Sequence, residues 1–250
     1  MKIALYDLSV MPTTYDFAVF ACSAKTLGYE EIRFVVGKPL ASWKYPQELG
    51  WRRWANILVP MCRLADLPFS VGGELPGDKL YYHTGYIQEI YKRTGKITKL
   101  RSILPFGKKD YVTVTLRESF RNTWRNSSKD WEKIIQWLEK KGKTVAVLEE
   151  CEDRPIPLEQ RMALYCNAQM NLSVGNGPMV LCWLSEAPYL SFQLPKPQGF
   201  EKEYEQLVKQ WENMKFPIGS QLEFRNKNQE IIWGPDDFST VTKAYGRMMD

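Results

Sequence analysis

The stretch Leu172-Ser-Val-Gly-Asn-Gly-Pro-Met-Val-Leu-Cys-Trp-Leu-Ser-Glu-Ala-Pro-Tyr-Leu-Ser-Phe192 decides how this chain is read. Met170 to Val174 is a short apolar run of the kind that forms a buried strand. It stops at Gly175-Asn176-Gly177-Pro178. Pro178 to Leu184 then reads as a short helix, because proline is tolerated in a first helical turn where its missing N–H is not needed. Tyr189 to Phe192 is the next strand. Strand, glycine corner, helix and strand make a βαβ unit, and such units predict a parallel sheet with right-handed crossovers.

The same alternation runs outward in both directions. Toward the C-terminus, Phe200 to Met214 carries Tyr204, Leu207, Val208 and Trp211 at helical spacing. Ile231 to Trp233 reads as a last strand, and Asp236 or Asp237 caps a terminal helix. Toward the N-terminus come a helix at Leu158–Ala168, a strand at Thr144–Leu148, a helix at Trp131–Lys141 and a strand at Tyr111–Leu116. The segment Arg101–Asp110, with Pro, Gly and basic residues, breaks the pattern and reads as a linker. Before it lie strands at Lys2–Tyr6, Glu31–Val36 and Phe69–Val71. Helices are predicted at Tyr15–Leu27, with Thr13 or Thr14 as cap, at Gly50–Leu64 and at Thr84–Arg93. The expected architecture is α/β: two Rossmann-like domains, 1–105 and 106–250, whose parallel sheets face a cleft.

Composition agrees with a globular protein. The 250 residues are 44% hydrophobic and 25% charged, with a net charge of +5, which permits an anionic partner without requiring one. Five cysteines, at 22, 62, 151, 166 and 182, form no Cys-x-x-Cys pair, and there is one histidine. Neither a zinc site nor a disulfide framework is expected; reduced thiols suit a cytoplasmic protein. No apolar run approaches the ~20 residues of a membrane-spanning helix.

Ligands of open parallel sheets bind beyond the carboxyl ends of the strands. The corner at Gly175–Pro178 sits at such an end. Its glycines allow close backbone approach, and the N–H groups of the following helix favour an anion, so a phosphate is the expected guest. A turn with no ligand explains the same spacing. A second corner follows the strand at Tyr111–Leu116, where Arg117, Glu118, Asn122 and Arg125 collect donors and fixed charge. Arginine binds phosphate through paired N–H groups; a solvated loop is the plainer reading. Two corners on one sheet edge suit a diphosphate better than either does alone.

The second half, in VTVTLRESFRNTWRNSSKDWEKIIQWLEKKGKTVAVL, in RMALYCNAQMNLSVGNGPMVLCWLSEAPYLSF and in FPIGSQLEFRNKNQEIIWGPDDF, resembles the nucleotide-sugar-binding domain of GT-B-type glycosyltransferases. It is similar to bacterial members that pair a PTTYDF-like segment with an NGPM-like turn. The resemblance implies a nucleotide-sugar donor held by the C-terminal half, an acceptor held by the N-terminal half, no cofactor and no metal. On it, Arg117 contacts the diphosphate, Asn176, Gly177, Pro178 and Met179 line the phosphate or sugar pocket, and Ser185 touches ribose or sugar. Asn122 and Arg125 are further donor contacts. Inverting transfer requires a general base; Asp7, Asp16, His83 and Glu118 are the candidates. Each also has a structural reading, as a loop cap, a helix-terminal charge or a satisfied histidine. The chain is short for this superfamily.

The acceptor is left open. Cytoplasmic location is expected, with peripheral attachment to the inner membrane as a second option. Three competing readings stand beside transfer: a nucleotide-sugar epimerase, a non-catalytic sugar or nucleotide binder, and a nucleic-acid binder using the basic, Trp-containing stretch Arg121–Lys143. Lysines 129, 133, 140 and 141 fit an ordinary solvated helix face, which weighs against the last.

Overall fold

The computed structural model describes residues 1–36, 47–73, 76–105, 107, 110–118, 125–149, 156–193 and 199–249. Asn122, Arg121 and Cys151 lie outside the described residues.

The first half runs β1 (Ile3–Asp7), α1 (Phe17–Thr26), β2 (Glu31–Val35), α2 (Gln47–Arg53), α3 (Val59–Leu64), β3 (Phe69–Gly72), β4 (Asp78–Lys79) and α4 (Thr84–Thr94). The second runs β5 (Tyr111–Leu116), α5 (Trp131–Lys140), β6 (Thr144–Glu149), α6 (Leu158–Asn167), β7 (Met170–Val174), α7 (Val180–Trp183), β8 (Tyr189–Phe192), α8 (Glu201–Asn213), β9 (Gln229–Ile232) and α9 (Phe238–Met249). The strands form two sheets, ordered β3-β2-β1-β4 and β6-β5-β7-β8-β9. Every pairing in both is parallel. Two α/β units with parallel sheets are what the alternation predicts.

Three local features depart from the sequence reading, and a fourth decides between the two caps it offered. Strand β4 was not expected, because Asp78-Lys79 is exposed and carries no apolar pattern; pairing with Ala4 and Leu5 of β1 creates it. The helix expected at 50–64 begins at Gln47 and widens to a π-type turn over Trp54–Leu58. Pro60 stands two residues beyond it and cannot donate the N–H that a regular α-turn would use there. Helix α1 starts at Phe17 with no side-chain cap. The Thr14 hydroxyl donates to the Asp16 carboxylate instead of capping the helix. Of the two C-terminal aspartates, Asp237 is the cap, accepting from Thr240 N–H at 2.8 Å. The buried Asp236 instead accepts from Ser128 N–H at 2.8 Å and from the Trp131 indole at 2.6 Å, tying the start of α9 to α5.

Alternation along β5 and β7 divides the second sheet into two chemically different faces. Val112, Val114, Met170, Leu172 and Val174 pack with Trp131, Ile134 and Leu138 of α5 and Val241, Ala244 and Tyr245 of α9. The other face carries a polar ladder, completely buried and therefore hydrogen-bonded. Thr113 bonds Asn171 at 2.6 Å, Thr115 bonds the Tyr165 hydroxyl at 2.8 Å, and Ser173 donates to the Thr115 carbonyl at 2.9 Å. Beyond that ladder lies one hydrophobic cluster that continues into the first half. It joins Tyr6, Phe17, Phe34 and Met61 with Met162, Met179, Trp183, Trp211 and Phe224. The chain segment after α8 also clasps α4. Gln88 donates to the Gln221 carbonyl at 3.1 Å and accepts from Glu223 N–H at 3.0 Å. At Gly85 a side chain would meet the Met214 carbonyl, so only glycine lets these backbones touch.

Candidate functional site

The carboxyl ends of both sheets open onto one cleft of about 740 Å³. Strand order reverses between β1 and β4 in the first sheet and between β5 and β7 in the second. Such switch points leave a crevice, because the loops on either side run in opposite directions. Tyr81 to Thr84, just beyond β4, and Asp16, at the entry to α1, form one wall. Arg117 after β5, Gly175–Gly177 after β7 and Gln193 after β8 form the other. Helices α7 and α8 contribute Trp183, Leu207 and Trp211.

The glycine corner is held from within. Asn176 donates to Ser173 Oγ at 2.9 Å and accepts from Met179 N–H at 3.0 Å. That second bond corrects one expectation: the Met179 N–H is engaged by Asn176 and is not offered to a ligand. The helix beyond is four residues long, so it supplies little of the dipole that the sequence suggested. Neither Gly175 nor Gly177 has a positive φ. Their side chains are absent because other groups occupy the space: a Cβ at Gly175 would overlap the Gln193 amide, and one at Gly177 would stand 2.6 Å from Tyr15 Cδ2. The guest of the corner is, in part, the protein's own first half.

Both arginines of the second corner line the cleft. Arg117 lines the cleft, its backbone pinned by Ser127 through bonds of 2.8 and 3.0 Å. Arg125 lines it too and donates to the Gly175 carbonyl at 3.3 Å.

Of the four acid–base candidates, Asp16 and His83 line the cleft. Asp16 is exposed there, and the protein atoms crowded around its carboxyl raise its pKa from the ordinary 3.8. The Thr14 hydroxyl and the Arg125 charge partly offset the rise. His83 also lines the cleft, but its Nδ1 accepts the Tyr86 N–H at 3.1 Å as the cap of α4. Its basic lone pair is therefore committed. Burial lowers its pKa, which keeps the ring neutral and the cap intact. Asp7 accepts from the N–H and hydroxyl of Ser9, a local turn outside the cleft lining. Glu118 is exposed and also outside that lining.

Three expected binding residues are placed elsewhere by packing. Met179 and Pro178 are buried and absent from the cleft lining. Ser185 is completely buried at the far end of α7, where its hydroxyl bonds the Cys182 carbonyl and the Ala187 N–H. Sequence reasoning missed Gln193, Tyr81, Tyr82 and the cleft face of α8. Gln193 had a legible signal, since it follows β8 as Gly175 follows β7. Tyr81 and Tyr82 had none, because the strand that positions them is two residues long.

Among the described residues, no three His, Cys, Asp or Glu side chains are grouped to hold a metal ion. Cys22, Cys62, Cys166 and Cys182 are free thiols. No described helix is long and apolar enough to cross a membrane.

No family model matches the sequence, and no curated protein matches it. Among solved structures, the dodecameric iron-containing heptosyltransferase TibC in complex with ADP-D-beta-D-heptose is 12% identical, with a TM-score of 0.47 over 77% of this chain. This chain covers 58% of that one. TibC from enterotoxigenic E. coli H10407 gives 13% identity and 0.46, covering 76% of this chain and 57% of that one. The E. coli heptosyltransferase WaaC with ADP is 10% identical, with a TM-score of 0.49 over 99% of this chain and 100% of that one.

Proposed function

We propose that this chain transfers a sugar from a nucleotide-sugar donor to an acceptor hydroxyl, without a metal, in the cleft between the two sheets. One observation carries the reading: a carboxylate, Asp16, and two guanidinium groups, Arg117 and Arg125, line the same crevice at facing switch points. That pairing separates the two tasks of the reaction.

Arg117 and Arg125 hold the donor diphosphate and stabilise the negative charge that grows on it as the glycosidic C–O bond breaks. Asp16 takes the proton from the acceptor hydroxyl as its oxygen attacks the anomeric carbon. The electron pair of the broken bond leaves with the β-phosphate. A raised carboxylate pKa suits this role, since a base is most effective when its pKa lies nearer the working pH. The two arginines supply the positive charge, so the step proceeds without a cation.

The test is calorimetric titration of ADP, UDP and GDP into the chain, followed by nucleoside diphosphate release from the corresponding nucleotide sugars. At least one diphosphate binds the wild type, and Arg117→Ala weakens it by about 1.5–3 kcal/mol, the range for a charged hydrogen bond. Asp16→Asn keeps that binding and loses turnover, and EDTA leaves the wild-type rate unchanged. If the wild type binds none of the three, the donor site is wrong.

A further inference from the structure

We propose that the cleft face of α8, an element of the second half and not of the first half to which the resemblance assigns the acceptor, is the acceptor subsite and that it takes a neutral, hydroxyl-rich ligand, an oligosaccharide. This rests on the donor reading above, which assigns the arginine end of the cleft to phosphates.

Helix α8 is rich in charge, yet its charges are sorted. Gln206, Lys209, Gln210 and Asn213 line the cleft, at the i, i+3, i+4, i+7 spacing of one helix face. Glu201, Glu203, Glu205 and Glu212 are exposed on the same helix and do not line it. An indifferent solvated face would mix the two sets. Here every carboxylate is kept away from the cleft, and the amides are turned toward it.

Among the described residues, the exposed amide side chains of Gln206, Gln210 and Asn213 have no hydrogen-bond partner. Each offers two donors and one acceptor oxygen, and so matches a hydroxyl, which both donates and accepts. Along the helix the three stand about 6 and 4.5 Å apart at 1.5 Å rise per residue. That ladder is on the scale of one sugar ring per rung. Behind it lie the buried Trp183 and Trp211, whose indole N–H groups have no acceptor among the described residues. Across the cleft stands Tyr81, exposed to 63%, an aromatic face for the apolar side of a ring. A lipid would require an apolar wall, and a polyanion more than the one ammonium of Lys209. Sites built to hydrogen-bond hydroxyls discriminate strongly, because a ligand lacking them leaves the site's polar groups unpaired.

The experiment is binding of the full chain to an array of neutral oligosaccharides built on glucose, mannose and galactose, with unmodified peptides on the same surface. The wild type retains at least one neutral glycan. Gln206→Ala/Gln210→Ala weakens that retention at least tenfold, and Gln210→Ala alone weakens it by a smaller factor. Glu205→Gln/Glu212→Gln leaves it unchanged. Titration of ADP, UDP and GDP into the double alanine variant matches the wild type within twofold, which shows both that it is folded and that the donor end is separate. Retention of no neutral glycan, retention of peptides alone, undiminished retention by the double variant, or its loss of nucleotide binding each overturn the proposal. If the wild type binds glycan but no nucleotide, the donor reading fails and the subsite stands.

Discussion

The ring of Tyr15, at the entry to α1, lies against Gly177 in the corner after β7, so closely that a Cβ on the glycine would stand 2.6 Å from Cδ2 of the ring. The contact joins the two halves of the chain at the cleft, one residue from Asp16. Glycine is required there for space, not for φ. Gly177→Ala therefore forces the ring aside and destabilises by about 1–3 kcal/mol, the range for overpacking. In a Tyr15→Ala background the same substitution costs much less. A double-mutant cycle by denaturant unfolding measures this coupling; additive effects would show that the ring does not constrain the glycine.

Arg125 gains weight from the same corner. Its bond to the Gly175 carbonyl and its charge near Asp16 connect phosphate end and base. Arg125→Ala is expected to weaken nucleoside diphosphate binding by about 1.5–3 kcal/mol. It also removes a positive charge that lowers the Asp16 pKa, so the acidic limb of a pH–rate profile moves to higher pH. A limb that stays in place would separate Arg125 from the base.

The raised pKa of Asp16 predicts that its charge costs the folded chain some stability, an effect that solvent at its exposed carboxyl reduces. Below its ordinary pKa of 3.8 the group is protonated in folded and unfolded chains alike. As pH rises through 3.8 the unfolded chain ionises first, and stability falls until the raised folded pKa is passed. Asp16→Asn should therefore raise the melting temperature at pH 7, and the gain should vanish below about pH 3.8. Thermal unfolding at both pH values tests this. It is the trade expected where a charge is retained for function. A variant less stable than wild type at pH 7 would assign Asp16 a structural role.

The lone histidine gives a second pH dependence of opposite sign. Burial lowers the His83 pKa below 6.5, so the unfolded chain binds the proton first on acidification. Stability is complete above pH 6.5 and declines as pH falls through the folded pKa. His83→Asn keeps a capping oxygen, and the decline should flatten. His83→Ala should lose the cap as well, about 1 kcal/mol. Melting curves from pH 5 to 8 distinguish the three proteins; an unchanged slope in His83→Asn would show that the decline comes from other groups.

What the sequence determined by itself is the order of the elements. Periods of two and 3.6 residues, broken by glycine and proline, located β5 to β9 and their helices within a few residues, because local pattern and tertiary burial demand the same thing there. It also brought Arg117 and the Gly175–Gly177 corner to one sheet edge, since both follow neighbouring parallel strands. The rest was decided by contacts between residues far apart in sequence. Strand β4 exists only because β1 pairs with it, and without it Tyr81 and Tyr82 have no place in the cleft. Ser185 and Met179 had the polarity or position of ligand contacts, but packing of α7 buried them. His83 had the chemistry of a base, but its lone pair went to the Tyr86 N–H. Asp16 had only the pattern of a helix-terminal charge; its place on the cleft, which Asp7 and Glu118 do not share, comes from the packing of the two halves, which no local pattern encodes.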